Sequence, residues 1–131
     1  MSGSACPADL NRARVLVVED EFFLADDLAR TLARFGADVV GPVASVGEAL
    51  DIVASEALDA VVLDINLQGE MAYPILDALQ ARGTPLVIAT GYDRGEIPSA
   101  YAQLPRWEKP FSYDALVATL PALMRRGGSG D

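Results

Sequence analysis

A short strand-like run ending in a reactive side chain recurs four times, and this repetition constrains the fold more than any other feature. Val-Leu-Val-Val at 15–18 leads into Glu19 and Asp20, and Ala-Val-Val-Leu at 60–63 into Asp64. Leu-Val-Ile-Ala at 86–89 leads into Thr90, and Arg-Trp-Glu at 106–108 into Lys109. The first three runs, short and apolar at every position, suit strands covered on both faces of a parallel sheet, and the last is a short strand beside them. Parallel strands share one carboxyl edge, and that edge is where open α/β sheets bind ligands. Three carboxylates, a hydroxyl and an amine are thereby expected in one place.

Helical patterns lie between the runs, so strand and helix alternate as in a sheet with crossover helices. The first helix carries Leu24, Leu28, Leu32 and Phe35 on one face and stops at Gly36. A second strand follows at 38–43, ended by the Gly41-Pro42 pair. Ser45 and Glu48 have capping-box spacing at the head of the second helix, where Leu50 and Val53 face inward. A loop at 65–70 leads to a third helix bearing Ile75, Leu76 and Leu79 and ending at Gly83; the fourth strand is expected at 85–89. Gly91, Gly95 and Pro98 then deny the chain a regular fourth helix, and residues 92–104 are expected to be irregular and mobile. Ser112 caps a last helix with Leu116, Val117, Leu120 and Leu123 inward, bent or shortened by Pro121. The domain is expected over 14–126, with a flexible tail at 1–13 and a flexible end at 127–131.

Composition removes whole classes of function. A chain of 131 residues suits one domain with its own core. No apolar run approaches the roughly 20 residues that cross a bilayer, and the start lacks the basic and apolar segments of a secretion signal. Cys6 is the only cysteine, so no internal disulfide forms. A cytoplasmic protein without a membrane partner is expected. The absence of histidine excludes histidine triads, histidine metal sites and the role of phosphohistidine carrier. A net charge of −9 argues against direct contact with nucleic acid, which needs a basic face.

The chemistry of the expected edge is that of phosphoryl transfer. Asp64 is the candidate nucleophile, since a carboxylate attacks phosphorus to give an aspartyl phosphate. The transferring group spreads its charge over three oxygens and needs neutralisation more than covalent help. Mg²⁺ suits this task, because it keeps several waters and takes one or two carboxylates beside a phosphate oxygen. Asp20 and Asp64 are the direct ligands expected, with Glu19 acting through a metal-bound water and Asn66 through its backbone carbonyl. Lys109 offers a mobile point charge and Thr90 a hydroxyl, each for a phosphoryl oxygen.

Glu19-Asp20, Asp64, Thr90 and Lys109-Pro110-Phe111, in that order, resemble the receiver domain of two-component response regulators, the CheY-like family, over most of the chain. The resemblance implies a doubly wound α/β (βα)5 sandwich whose five-stranded parallel sheet has the order 2-1-3-4-5, here with the fourth helix degraded. It places the acids in the roles just given and implies a cis peptide between Lys109 and Pro110. The implied phosphoryl source is a sensor histidine kinase or a histidine phosphotransfer protein. The domain would be a phosphoacceptor rather than an enzyme, with at most slow self-phosphorylation and self-dephosphorylation.

Ile88-Ala89-Thr90-Gly91-Tyr92 further resembles the Phe-Ala-Thr-Gly-(Gly/Tyr) motif of receivers that often stand alone in alphaproteobacteria, matching four positions of five. This implies output through contact with an unknown downstream protein, or service as a phosphate sink. One departure bears on switching: where receivers carry an aromatic three residues before the lysine, this chain has Arg106. A guanidinium is costly to bury unpaired, so Thr90 would act without that aromatic, with Tyr92 as the nearest substitute. Two alternatives remain on sequence: a metal-dependent phosphohydrolase of the haloacid dehalogenase type, which wants an Asp where Asn66 stands, and an unphosphorylated pseudo-receiver. Elsewhere Phe22 and Phe23 read as helix packing, Tyr73, Tyr101 and Tyr113 as surface or boundary residues, and Trp107 as a strand residue against the last helix.

Overall fold

A computed structural model of the chain describes residues 10–90, 98–108 and 111–129, with side chains to 125. The elements run β1 (Arg14–Val18), α1 (Phe22–Arg34), β2 (Asp38–Val43), α2 (Val46–Ser55), β3 (Ala60–Leu63), β4 (Asn66–Leu67), β5 (Glu70–Met71) and α3 (Tyr73–Arg82). They continue with β6 (Leu86–Thr90), a 3-10 turn (Ser99–Tyr101), β7 (Arg106–Glu108), α4 (Tyr113–Ala118) and α5 (Leu120–Ser129). Five strands pair in parallel in the order β2-β1-β3-β6-β7. That is the expected order 2-1-3-4-5, because β4 and β5 form a separate antiparallel ribbon within the stretch expected as plain loop. The order in which the chain adds strands reverses between β1 and β3, the switch point at whose carboxyl ends a parallel sheet forms its crevice.

Successive residues of a strand point to opposite faces, and the core divides accordingly. Leu16, Val18, Val61, Leu63, Leu86 and Ile88 face α2 and α3, where Ala49, Val53, Ile75, Leu76 and Leu79 receive them. Val15, Val17, Ala60, Val62, Val87 and Ala89 face α1, α4 and α5, against Leu28, Leu32, Leu116, Val117 and Leu120. The three central strands are thus buried on both sides, which explains their unbroken apolar runs.

Local signals account for the helix ends. Ala37 N–H bonds the carbonyl of Leu32 at 3.0 Å and Thr84 N–H that of Leu79 at 3.0 Å, closing α1 at Gly36 and α3 at Gly83. Ser45 Oγ accepts from Glu48 N–H at 3.2 Å, while the Glu48 carboxylate reaches back to Ala44 N–H at 3.3 Å. Pro121 splits the last helix: it has no N–H to continue the ladder, so α4 stops at Ala118 and α5 begins at Leu120. Between β6 and β7 the described residues hold only the 3-10 turn. Among the described residues, no helix is long and apolar enough to cross a membrane.

Several expectations need correction. The tail is docked from Leu10 onward: Leu10 is buried, its N–H bonds the Phe35 carbonyl at 2.7 Å, and Arg12 N–H bonds that of Gly36 at 2.7 Å. At the other end α5 runs on through Gly127 and Gly128 to Ser129. Phe22 and Phe23 do not pack into the helix layer but are 74% and 76% exposed. Tyr113 is a core residue, buried beside Leu116 and Val117 on the inner face of α4.

A bulge in the edge strand sets the height of the first acid. Leu16 pairs with Val40 but Val18 with Val43, so two steps along β1 meet three along β2. The extra residue lies at Gly41-Pro42, whose peptide is cis. Proline is tolerated here because β2 is an edge strand. Beyond the bulge Val43 accepts a hydrogen bond from Glu19 N–H at 2.9 Å, which carries the ladder one residue past β1. Gly41 has φ +88°, and a Cβ there would lie 2.9 Å from Val43 N and 3.1 Å from the Val17 carbonyl oxygen. Gly41→Ala is therefore expected to lower the unfolding free energy by at least about 1–2 kcal/mol. Urea denaturation checks this, and an unchanged midpoint would contradict the reading of the bulge.

Candidate functional site

Ladder geometry alone brings the acids together. Val18 on β1 is in register with Leu63 on β3, and Leu63 with Ile88 on β6. Asp64 N–H continues the pairing with a 2.9 Å bond to the Val18 carbonyl. Glu19 and Asp64 are each the first residue past their strands, so they leave the sheet side by side. Asp20 follows Glu19 into the turn before α1. Ligand oxygens of Glu19, Asp20 and Asp64 all lie within 4.8 Å of one another.

The backbone of each turn steadies its carboxylate. Glu19 is buried to 5% exposure, and its Oε2 accepts from Glu21 N–H at 3.1 Å. Asp64 is half-buried, and its Oδ1 accepts from Asn66 N–H at 3.1 Å. Asn66 is exposed; its side-chain oxygen accepts from Gly69 N–H at 2.7 Å, which closes the turn between β4 and β5. Three carboxylates at this spacing repel one another, and hard oxygen donors so placed fit a small divalent cation. Glu19, Asp20 and Asp64 are the described residues able to hold one.

Thr90 ends β6 on the same edge, buried to 1% and paired in register with Glu108 on β7. Lys109, Pro110 and Tyr92 lie outside the described residues, and with them the expected cis peptide. Both flanks of the lysine are set, however. Glu108 is held by the β6 ladder, and the Phe111 ring packs edge-on between Trp107 at 5.6 Å and Tyr113 at 5.3 Å. Trp107 also lines a groove with Ala122 and Leu123 of α5, as expected of a strand residue against the last helix. Arg106 is exposed on β7, opposite Ile88 in register.

One arrangement had no sequence signal. Tyr101, in the 3-10 turn, stacks on Tyr73 at the start of α3 with centroids 5.3 Å apart and planes 7° from parallel. Its hydroxyl donates to Asp77 Oδ1 at 2.7 Å, and this hydrogen bond holds the phenol above its ordinary pKa. The two tyrosines come from separate crossovers, so only the assembled fold pairs them.

Residues 15–120 match the family model of the response regulator receiver domain. The chain is 36% identical over 132 residues to the transcriptional regulatory protein TcrA of Mycobacterium tuberculosis, a match covering 95% of this chain and 51% of TcrA. It is 37% identical over 128 residues to the response regulator MprA of the same species, covering 86% of this chain and 51% of MprA. The chain thus spans about half the length of these curated relatives. Among solved structures, SdrG from Sphingomonas melonis Fr1 is 37% identical with a TM-score of 0.76, covering 86% of this chain and 96% of SdrG. Over so long a match, with the sheet order and the acid cluster both in place, the chain belongs to the response regulator receiver domain family, the phosphoacceptor modules of two-component signalling.

Proposed function

We propose that Asp64 accepts a phosphoryl group from the phosphohistidine of a sensor kinase or a histidine phosphotransfer protein. One observation carries this reading: the Asp64 carboxylate stands at the carboxyl edge of the sheet within 4.8 Å of Glu19 and Asp20 oxygens. A carboxylate oxygen attacks phosphorus, the phosphorus–nitrogen bond breaks, and its electron pair returns to the donor imidazole, which then takes up a proton. The product is an aspartyl phosphate. Asp20 and Asp64 would hold Mg²⁺ directly, Glu19 through a water and Asn66 through its backbone carbonyl. When bound, the ion neutralises charge on the phosphoryl oxygens. The Thr90 hydroxyl donates to one of those oxygens, and Lys109, next in sequence after β7, gives its charge to another.

Output in this reading is contact with a downstream protein, or storage of phosphate, in the cytoplasm. The surplus of acidic residues disfavours a direct role on nucleic acid. Thr90 would relay phosphorylation into residues 92–104 without an inward-turning aromatic, since Arg106 occupies that position and faces solvent. Tyr92 belongs to this relay, and Ala89-Thr90-Gly91-Tyr92 supports placing the chain in the stand-alone subgroup. Self-phosphorylation and self-dephosphorylation are expected to be slow. Asn66 stands where a hydrolase of the dehalogenase type needs a general acid, and its side chain is engaged in the β4–β5 turn.

Incubation with acetyl phosphate and Mg²⁺ should give a stable, single phosphorylation of the wild type, whereas a hydrolase would turn the donor over and a pseudo-receiver would stay unlabelled. Asp64→Asn should abolish the labelling while the melting temperature holds, because asparagine keeps the shape and loses the nucleophile. Labelling of that variant on the same peptide at the wild-type rate would remove Asp64 from the role. Separately, Mg²⁺ at about ten times its dissociation constant should stabilise the protein by about 1.4 kcal/mol. Asp20→Asn should lose most of that gain, and a melting temperature indifferent to Mg²⁺ would count against a metal at these acids.

A further inference from the structure

We propose that Asn66 is a positioning residue for phosphoryl transfer: its side chain closes the β4–β5 turn, and the closed turn holds the Asn66 N–H on Asp64 and so sets the plane of the attacking carboxylate. This rests on the reading of Asp64 as phosphoacceptor.

The turn does not suit its own residues. Leu67 pairs with Glu70, which leaves Gln68 and Gly69 as a two-residue loop. Their φ values are +54° and +91°, both positive as in a type I′ turn. Such turns favour asparagine, aspartate or glycine at the first position, whereas glutamine meets the Cβ clash of the left-handed region. The ribbon supplies little cohesion of its own, since a lone two-stranded hairpin is marginal in water. The Asn66 side chain makes up the difference, for its oxygen accepts from Gly69 N–H at 2.7 Å across the loop.

Closing the turn aims a donor at the phosphoacceptor. The returning strand leads into Ala72, whose N–H donates to the Ile65 carbonyl at 2.8 Å. A planar trans peptide points its carbonyl and its N–H in opposite directions. With the Ile65 carbonyl turned to Ala72, the N–H of the same peptide, that of Asn66, faces Asp64 and donates to Oδ1 at 3.1 Å. Ile65 and Leu67 are buried and hold the root of the ribbon, but side-chain burial does not fix the rotation of the peptide between Ile65 and Asn66. A donor on one oxygen restricts rotation of the carboxylate about its Cβ–Cγ bond. Less freedom is then lost when an oxygen lines up on phosphorus. In this arrangement the Asn66 side chain works through Gly69 and the ribbon backbone, without touching the phosphoryl group.

The test repairs the turn without restoring the side chain. Wild type, Asn66→Ala, Gln68→Gly and the double variant are compared as full chains in two measurements. One is the labelling rate from acetyl phosphate at saturating Mg²⁺. The other is the amide proton shift at position 66 by NMR, with neither Mg²⁺ nor donor present. Asn66→Ala should label about fivefold more slowly or worse, as a misaligned nucleophile does. Its amide proton at position 66 should move upfield as the bond to the carboxylate is lost. Gln68→Gly alone should label at the wild-type rate. Added to Asn66→Ala, it lets the turn form unaided, so the rate should return to within about twofold of wild type and the amide proton should move back downfield. Equal rates in wild type and Asn66→Ala would overturn the proposal. So would a double variant that regains neither property, or only one of the two; a downfield amide with a slow rate would mean that the side chain itself meets the phosphoryl group. Wild type that takes no label from acetyl phosphate would instead remove the phosphoacceptor reading of Asp64.

Discussion

Everything at the site hangs on a backbone ladder that has no access to water. Along β1, β3 and β6 nearly every residue is buried, with helices on both faces. A peptide group there cannot trade a neighbour for solvent, so each N–H and carbonyl must find its partner in the adjacent strand. A slip of one residue would turn the apolar sets of a strand toward the wrong face. Register is therefore rigidly specified, and with it the relative heights of Glu19, Asp64 and Thr90. The acids are not gathered by attraction to one another. They are held in proximity by the hydrophobic and hydrogen-bonding terms of the strands behind them.

Such an arrangement works against stability where it serves function. Like charges crowd the one edge at which buried strands emerge, and the fold tolerates this because turn N–H groups of Glu21 and Asn66 face the carboxylates. The bulge at Gly41-Pro42 contributes from the other side by letting Val43 accept from Glu19 N–H. Edge-strand irregularity and site geometry are thus one feature.

The parts legible in the sequence were those decided by local or periodic physics. Doubly buried strands show as unbroken apolar runs, a helix stop as Gly36 or Gly83, a capping box as Ser45 with Glu48, a helix break as Pro121. The parts that were not legible depend on where an element ends up. Phe22 and Phe23 lie out of phase with the inward stripe of Ala25, Leu28 and Leu32 on α1 and so face solvent, although their size and apolarity alone suggest packing. The β4–β5 ribbon is too short to announce itself. Tyr73 and Tyr101 meet only because two crossovers on the same side of the sheet are brought together. Tyr113 is different, because its spacing of three and four from Leu116 and Val117 already marked the inner face, and its hydroxyl drew the reading outward. Of the site itself, the strand-end pattern brings Glu19, Asp20 and Asp64 together, and Thr90 ends β6 on the same edge of the sheet.

The contrast between two kinds of contact around Thr90 bears on how a signal can leave the site. On one side Thr90 belongs to the ladder, buried and paired with Glu108. Among the described residues of the crossover that follows, Tyr101 is held by a ring stack and a hydrogen bond to Asp77 at the surface. Exposed hydrogen bonds exchange readily with water and contribute little net free energy, whereas breaking a buried ladder leaves polar groups unsatisfied. Displacing Thr90 from the β6 ladder would therefore cost more than loosening the Tyr73–Tyr101 contact. Because Arg106 faces solvent, no inward aromatic competes for that displacement at the usual place. Of the described contacts on the two sides, the Tyr73–Tyr101 clip yields at less cost than the β6–β7 ladder.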